Sequence, residues 1–165
     1  MRTSNPTTGS SRRNRRPDEL SELDKGIIEH LQQDGRRAFT QIAAALGVSE
    51  AAVRARTNRL VERGVLQVVG VADPGKLGFQ QALIGIRCEP GRLVEVAEAL
   101  AAMGEVDYVV VTAGRFDILI ETVAEDNEGL LHFLTERLQR VGGVRDTETF
   151  TYLRLVKQTY QFGTR

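Results

Sequence analysis

Residues 46–60 are LGVSEAAVRARTNRL. Leu46 closes one apolar-faced helical stretch, and Ser49 stands where the next needs an N-cap. Only Gly47 and Val48 lie between them. So short a connection, with a glycine that tolerates positive φ, turns the chain sharply and joins two short helices as a helix-turn-helix. The spacing predicts the earlier helix over 40–46, capped by Thr40, with Ile42, Ala43 and Leu46 inward. The later helix runs from Ser49 to about Arg63, before Gly64, and its Val53, Thr57, Leu60 and Val61 recur as one core-facing stripe. A helix over 21–33 precedes both. Ser21 caps it, Asp24 sits in a capping-box position, Leu23, Ile27, Ile28 and Leu31 form its apolar face, and Gly35 ends it.

The other side of the last helix is small, polar and cationic. Glu50, Arg54 and Asn58 follow at intervals of four, with Ala51, Ala55 and Arg59 beside them. Alanine lets a backbone approach a groove floor, and Arg and Asn offer paired donors to base edges. Arg36 and Arg37 add charge near the start of the middle helix, where a phosphate would lie. Arg56 either neutralises phosphate or braces the helix internally. A charged helix face is often only solvated, but the net charge, zero overall, is unevenly spread. Residues 1–64 hold 12 Lys and Arg against 8 Asp and Glu, and residues 65–165 hold 10 against 14. A basic front and an acidic rear suggest that only the front meets a polyanion. The candidate contacts to double-stranded DNA are Arg36, Arg37, Ser49, Glu50, Ala51, Arg54, Ala55, Arg56, Asn58 and Arg59.

Four segments follow from the pattern. Residues 1–17, rich in Ser, Thr, Asn and Arg, bury too little to offset chain entropy and are expected to form a disordered basic tail. Residues 18–64 make the helix-turn-helix domain. Residues 65–79, beginning VLQVVGVADP, are expected as a linker strand, able to make a wing or to pair with a second copy. Residues 80–165 carry strand, helix, strand, tight reversal at Ala113-Gly114-Arg115, strand, helix and strand, a ferredoxin-like βαββαβ order. The second helix is marked by Leu130, Leu131, Leu134, Leu138 and Val141. The fold class is therefore α+β, a winged-helix-like helix-turn-helix followed by a ferredoxin-like domain. Two helices cover one sheet face, yet VVV at 109–111 and ILI at 118–120 are apolar on both. The bare face predicts a dimer packed sheet to sheet, which would also present two DNA-binding heads.

Other classes lack support. No apolar run approaches the roughly 20 residues of a membrane span, and the N-terminus has no signal-peptide core. One cysteine, Cys88, fits a reducing cytoplasm. His30 and His132 fall in separate domains, and no phosphate loop, zinc spacing or dinucleotide fingerprint occurs. No catalytic residue, metal or cofactor is expected.

Four pieces occur in order: LDKGIIEHLQQDGRRAFTQIAAALGVSEAAVRARTNRLVERGVL, ADPGKLGF, VTAGRFDILI and GGVRDTETFTYLRLVK. Together they resemble the Lrp/AsnC, or feast/famine, transcriptional regulators over most of the chain. The resemblance implies a DNA-binding domain joined to a ferredoxin-like effector domain. It also implies dimers that assemble into octamers or other rings, and an amino acid or related metabolite as effector. It places the recognition helix at 49–62 and effector contacts near 112–117, giving Thr112, Gly114 and Asp117. On the residues alone the turn reading comes first: Gly114 serves a turn needing positive φ, and Asp117 satisfies that turn's backbone donors. The family's linker often carries an aromatic that VVGVADP lacks. The function expected is a metabolite-responsive DNA-binding regulator of the cytoplasm, associated with the nucleoid. The competing reading is a metabolite-sensing regulatory subunit that acts through protein contacts without DNA.

Overall fold

The computed structural model describes residues 20–164, so the expected tail over 1–17 lies outside the described residues. The chain forms two compact units. One runs to Gly70 and takes in the chain again from Thr159; the other is Val71–Gln158.

The first unit contains α1 (Glu22–Gln33), α2 (Phe39–Leu46) and α3 (Glu50–Glu62). A reciprocal cap starts α1: the Asp24 N–H donates to Ser21 Oγ at 3.2 Å, and the Ser21 N–H donates to Asp24 Oδ2 at 3.0 Å. The end of α1 differs from expectation. Asp34 breaks it with φ −150°, and its carboxylate takes the Arg36 N–H at 2.9 Å, while Gly35 has no positive φ. The start of α2 also moves. Ala38 is its N-cap and has no side-chain acceptor; the Ala38 carbonyl accepts from Gln41 and Ile42, so the helix begins there and Thr40 sits within the first turn. Gly47 takes φ +66°, as the two-residue turn demands. Ile27, Ile42, Val53 and Leu60 form the centre of the core. Val61 lies outside it, 47% exposed; Leu66, brought back under α3 by its N–H bond to the Leu60 carbonyl, is buried instead.

The expected linker strand over 65–79 forms no ladder within the chain. Pro74–Leu77 make a single 3-10 turn capped by Asp73, and Val65, Val68, Val69 and Val71 are exposed. A strand exists only where a neighbour takes its backbone groups, and no described residue supplies one here.

The second unit runs β1 (Gln80–Cys88), α4 (Leu93–Ala101), β2 (Val106–Val111), β3 (Ile118–Ala124), α5 (Asn127–His132) and β4 (Val144–Thr151). The sheet order is β2-β3-β1-β4, with every pairing antiparallel. Ile84, Ile86, Ile118 and Ile120 are buried beneath Val96, Leu100, Leu130, Phe133 and Leu138 from the helical layer. The predicted apolar stripe of the second helix is altered. A π-turn over Phe133–Arg137 follows α5 and a 3-10 turn over Leu138–Arg140 follows that. The wider turn puts Phe133 and Leu138, five residues apart, on one buried face with Leu130, while Leu131, in the regular turn of α5 before it, is exposed. The ferredoxin-like elements stop at Thr151, and from Thr159 the chain packs with the first unit.

The helix-free sheet face is less uniformly apolar than the strand sequences suggest. Leu83 and Leu119 share it with an Arg87–Asp146 pair at 2.6 Å, an Arg115–Glu148 pair at 3.0 Å and a Tyr152 hydroxyl donating to Glu121 at 2.7 Å.

Candidate nucleic-acid interface and effector hairpin

The turn at Gly47 fixes how α3 is presented. The Val48 N–H reaches the Ala43 carbonyl at 3.1 Å, and Ser49 Oγ accepts the Ala52 N–H at 3.2 Å. Ser49 is thus committed to capping. The inward face of α3 is Val53, Thr57 and Leu60, with the Thr57 hydroxyl returned to the Val53 carbonyl at 2.9 Å. Ala51, Arg54, Ala55, Asn58 and Arg59 are all exposed on the other side.

These side chains are not equally available. Arg54 donates to Glu50 at 2.5 Å and lies over the Phe39 ring, its Cζ 5.3 Å from the centroid. That fork is held in place, with Glu50 as its brace. Asn58 and Arg59 have no side-chain partner among the described residues. Arg36 is exposed, with only its backbone engaged by Asp34. Arg37 is less free, since its guanidinium meets His30 Nδ1 and Gln33 Oε1.

Arg56 points toward α1 and approaches both oxygens of Asp24 at 3.4 and 3.5 Å. Burial alone would raise the Asp24 pKa. The hydroxyl and N–H of Ser21, with the positive charges of Arg56 and Arg63, overcome it and hold the carboxyl below its ordinary range. Of the two roles open to Arg56, bracing has the geometry behind it.

In the second unit, Thr112 and Asp117 close the hairpin between β2 and β3. The Thr112 N–H donates to the Asp117 carbonyl at 2.9 Å, and its hydroxyl to the Phe116 carbonyl at 2.6 Å. Asp117 Oδ2 accepts the Cys88 N–H at 2.8 Å, where the β1–β4 register slips between Arg87 and Cys88. One carboxylate oxygen therefore mends a bulge. Burial and then the Asp117 charge push the Cys88 thiol pKa up, keeping it protonated. Gly114 does not have the positive φ expected of it, and a Cβ there would meet nothing within 4 Å. Its backbone conformation does not require glycine.

Residues 20–61 match the AsnC-type helix-turn-helix domain, and residues 81–162 match the Lrp/AsnC ligand binding domain. The chain belongs to the Lrp/AsnC family. An uncharacterised HTH-type transcriptional regulator of Pyrococcus horikoshii is 36% identical over 133 residues, spanning 79% of this chain and 84% of that one. Two solved structures share the fold. The leucine response regulatory protein LrpA of Mycobacterium tuberculosis has a TM-score of 0.77 at 24% identity, covering 88% of this chain and all of that one. A Neisseria meningitidis transcriptional regulator in complex with L-Met has a TM-score of 0.70 at 22% identity, covering 87% and 96%. As an Lrp/AsnC member, the chain is a DNA-binding transcriptional regulator with a small-ligand domain, not an enzyme.

Sequence reasoning missed what supports the Lrp/AsnC hairpin. Phe116 lies across Gly85 of β1, where an added Cβ would fall 2.6 Å from the ring. The Arg87 and Arg115 guanidiniums stand 5.9 and 5.4 Å from the same ring, and Phe150 meets it edge-on at 6.5 Å. The signal was present: a glycine inside ALIGIRC marks a place where something comes close to the strand.

Proposed function

We propose that the exposed side of α3 reads the major groove of an operator, and that the 112–117 hairpin helps bind an amino acid or related metabolite. Arg59 and Asn58 supply the uncommitted donors. Arg54, pre-oriented by Glu50 and Phe39, frames the groove, with Ala51 and Ala55 allowing close approach. Arg36 and Arg37 neutralise phosphates. The observation that carries this reading is the exposed, small and cationic α3 face, with Asn58 and Arg59 unpartnered among the described residues.

Two copies pair sheet to sheet through the helix-free face, and their linkers over 65–71 pair with each other. Exposed Val65, Val68, Val69 and Val71 support that pairing. Dimers join further into octamers or other rings, and the protein works in the cytoplasm, associated with the nucleoid. On the effector side, Thr112 and Asp117 shape the hairpin. The remaining Asp117 oxygen is the candidate anchor for a ligand ammonium, and Gly114 leaves room beside it. The L-Met complex of the Neisseria regulator supports an amino acid as the ligand class.

The test is a gel shift on the duplex upstream of the chain's own gene, repeated across salt concentrations. The parent should lose affinity steeply with salt, and each lost phosphate contact should reduce the slope by about 1. Arg59→Ala should weaken binding and, where it touches a base, relax choice at one position by about 1–3 kcal/mol. Arg54→Ala and Arg59→Ala that both bind every sequence as tightly as the parent would remove the interface from α3. A thermal-shift screen of amino acids and their keto acids checks the effector, since a ligand of the folded state raises apparent stability. Asp117→Ala should abolish that shift.

A further inference from the structure

Beyond β4 the chain does not end with its sheet. From Thr159 it is part of the first unit, which also holds the DNA-reading helix. The Gly163 N–H donates to Gln32 Oε1 at 3.0 Å, and the Thr164 hydroxyl donates to Glu29 Oε1 at 2.6 Å. Both acceptors belong to α1 and lie about one turn apart, so two points of the segment grip one helix. Tyr160 and Phe162 alternate with polar residues and line, with Leu20, Ile28 and Leu66, an open cavity of about 620 Å³ in the same unit. The seat is mostly apolar and the segment brings two aromatic rings to it.

We propose that residues 159–164 are a strap: the chain's own C-terminal segment docks on α1 and gives the DNA-reading unit a second attachment to the rest of the chain. The backbone passes between the units at Gly70–Val71 and again at Gln158–Thr159. A head tethered at one point is restrained only by that linker, whereas a second docking point narrows its range. The strap is weakly held. Tyr160 and Phe162 keep 59% and 78% of their surface exposed, so the segment's contacts give a docking constant on the order of 5–30. A constant that small lies at the low end of local stability and can be reversed by a modest bias from either unit. Docking stands on the contacts alone; its use in regulation rests on the effector-responsive reading above.

Hydrogen exchange on the whole chain tests docking. A chain ending at Gln158, or the full chain carrying Glu29→Ala and Gln32→Ala, should show exchange across α1 faster by a factor of about 5–30, with α4 unchanged as the internal reference. Unchanged α1 exchange in both variants overturns the strap; if the truncated chain fails to fold, the point variants decide. For regulation, the probe is a duplex that the full chain selects from a random-sequence pool. Truncation should weaken binding to paired half-sites more than to a single half-site. Equal effects on both overturn the coupling. A full chain that selects no duplex removes the function reading, while the exchange result still decides the strap.

Discussion

At Asp24 a carboxylate only 6% exposed serves as the N3 partner of a capping box and as the counter-charge of Arg56. Asp24→Ala should cost about 1–2 kcal/mol, measured by chemical denaturation near neutral pH. The pH dependence has a definite sign. The folded carboxyl is held below its ordinary range, whereas the unfolded chain takes up the proton near 3.8. Above that value the stabilisation is complete; it is lost as pH falls through the folded pKa, because the unfolded state binds more protons there. The gap between parent and Asp24→Ala should therefore shrink on acidification. A gap that widened would show that the side chain is not held as a carboxylate. Gly85 offers a second residue-scale case. Its missing Cβ is the seat of the Phe116 ring, so Gly85→Ala overpacks the site and should cost about 1–3 kcal/mol. In the presence of Phe116→Ala the same substitution should cost much less. Additive effects in that double-mutant cycle would mean that the ring is not what excludes a side chain.

Elements follow the same logic with larger parts. Gly47 sits at φ +66° between α2 and α3, and nothing lies within 4 Å of where its Cβ would be. Any cost of Gly47→Ala is then backbone strain, about 1–2 kcal/mol by denaturation. A neutral outcome would mean that the turn relaxes to another geometry. This turn was legible because its cause is local: two residues, one a glycine, between two capped helices. The βαββαβ order was legible for the same reason, since strand and helix periods alternate along the chain. What was hidden depends on neighbours distant in sequence. Val61 fits the stripe of α3, but Leu66 takes the last core place when the chain turns back. Leu130, Leu134 and Leu138 keep the regular stripe, but the π-turn over Phe133–Arg137 adds Phe133 to the core, and Leu131 is left outside it. Thr40 had the right chemistry for a cap, yet the Ala38 carbonyl began the helix first. Of the candidate site, the cationic face of α3 could be read from spacing. That Arg56 faces Asp24, 32 residues away, could not.

For the whole molecule the question is what two copies achieve that one cannot. The helix-free sheet face holds Leu83 and Leu119 at its middle, bordered by the Arg87–Asp146 and Arg115–Glu148 pairs. Paired with its own copy, such a face would bury a small apolar centre inside a charged rim, as association surfaces do. Each copy then contributes one α3, and the second head binds its half-site at the high effective concentration set by the first. Leu119→Glu places a charge at the centre of that face without touching the helical layer, so the chain should stay folded but lose its partner. Light scattering, at a concentration where the parent is dimeric, should give half its mass. Affinity for a duplex with paired half-sites should fall by up to about 10²–10⁴, while affinity for a single half-site stays near the parent's. An unchanged mass would place the copies elsewhere. A halved mass with full affinity for paired sites would mean that each head binds alone, and that the positive charge of α3 suffices without a second copy.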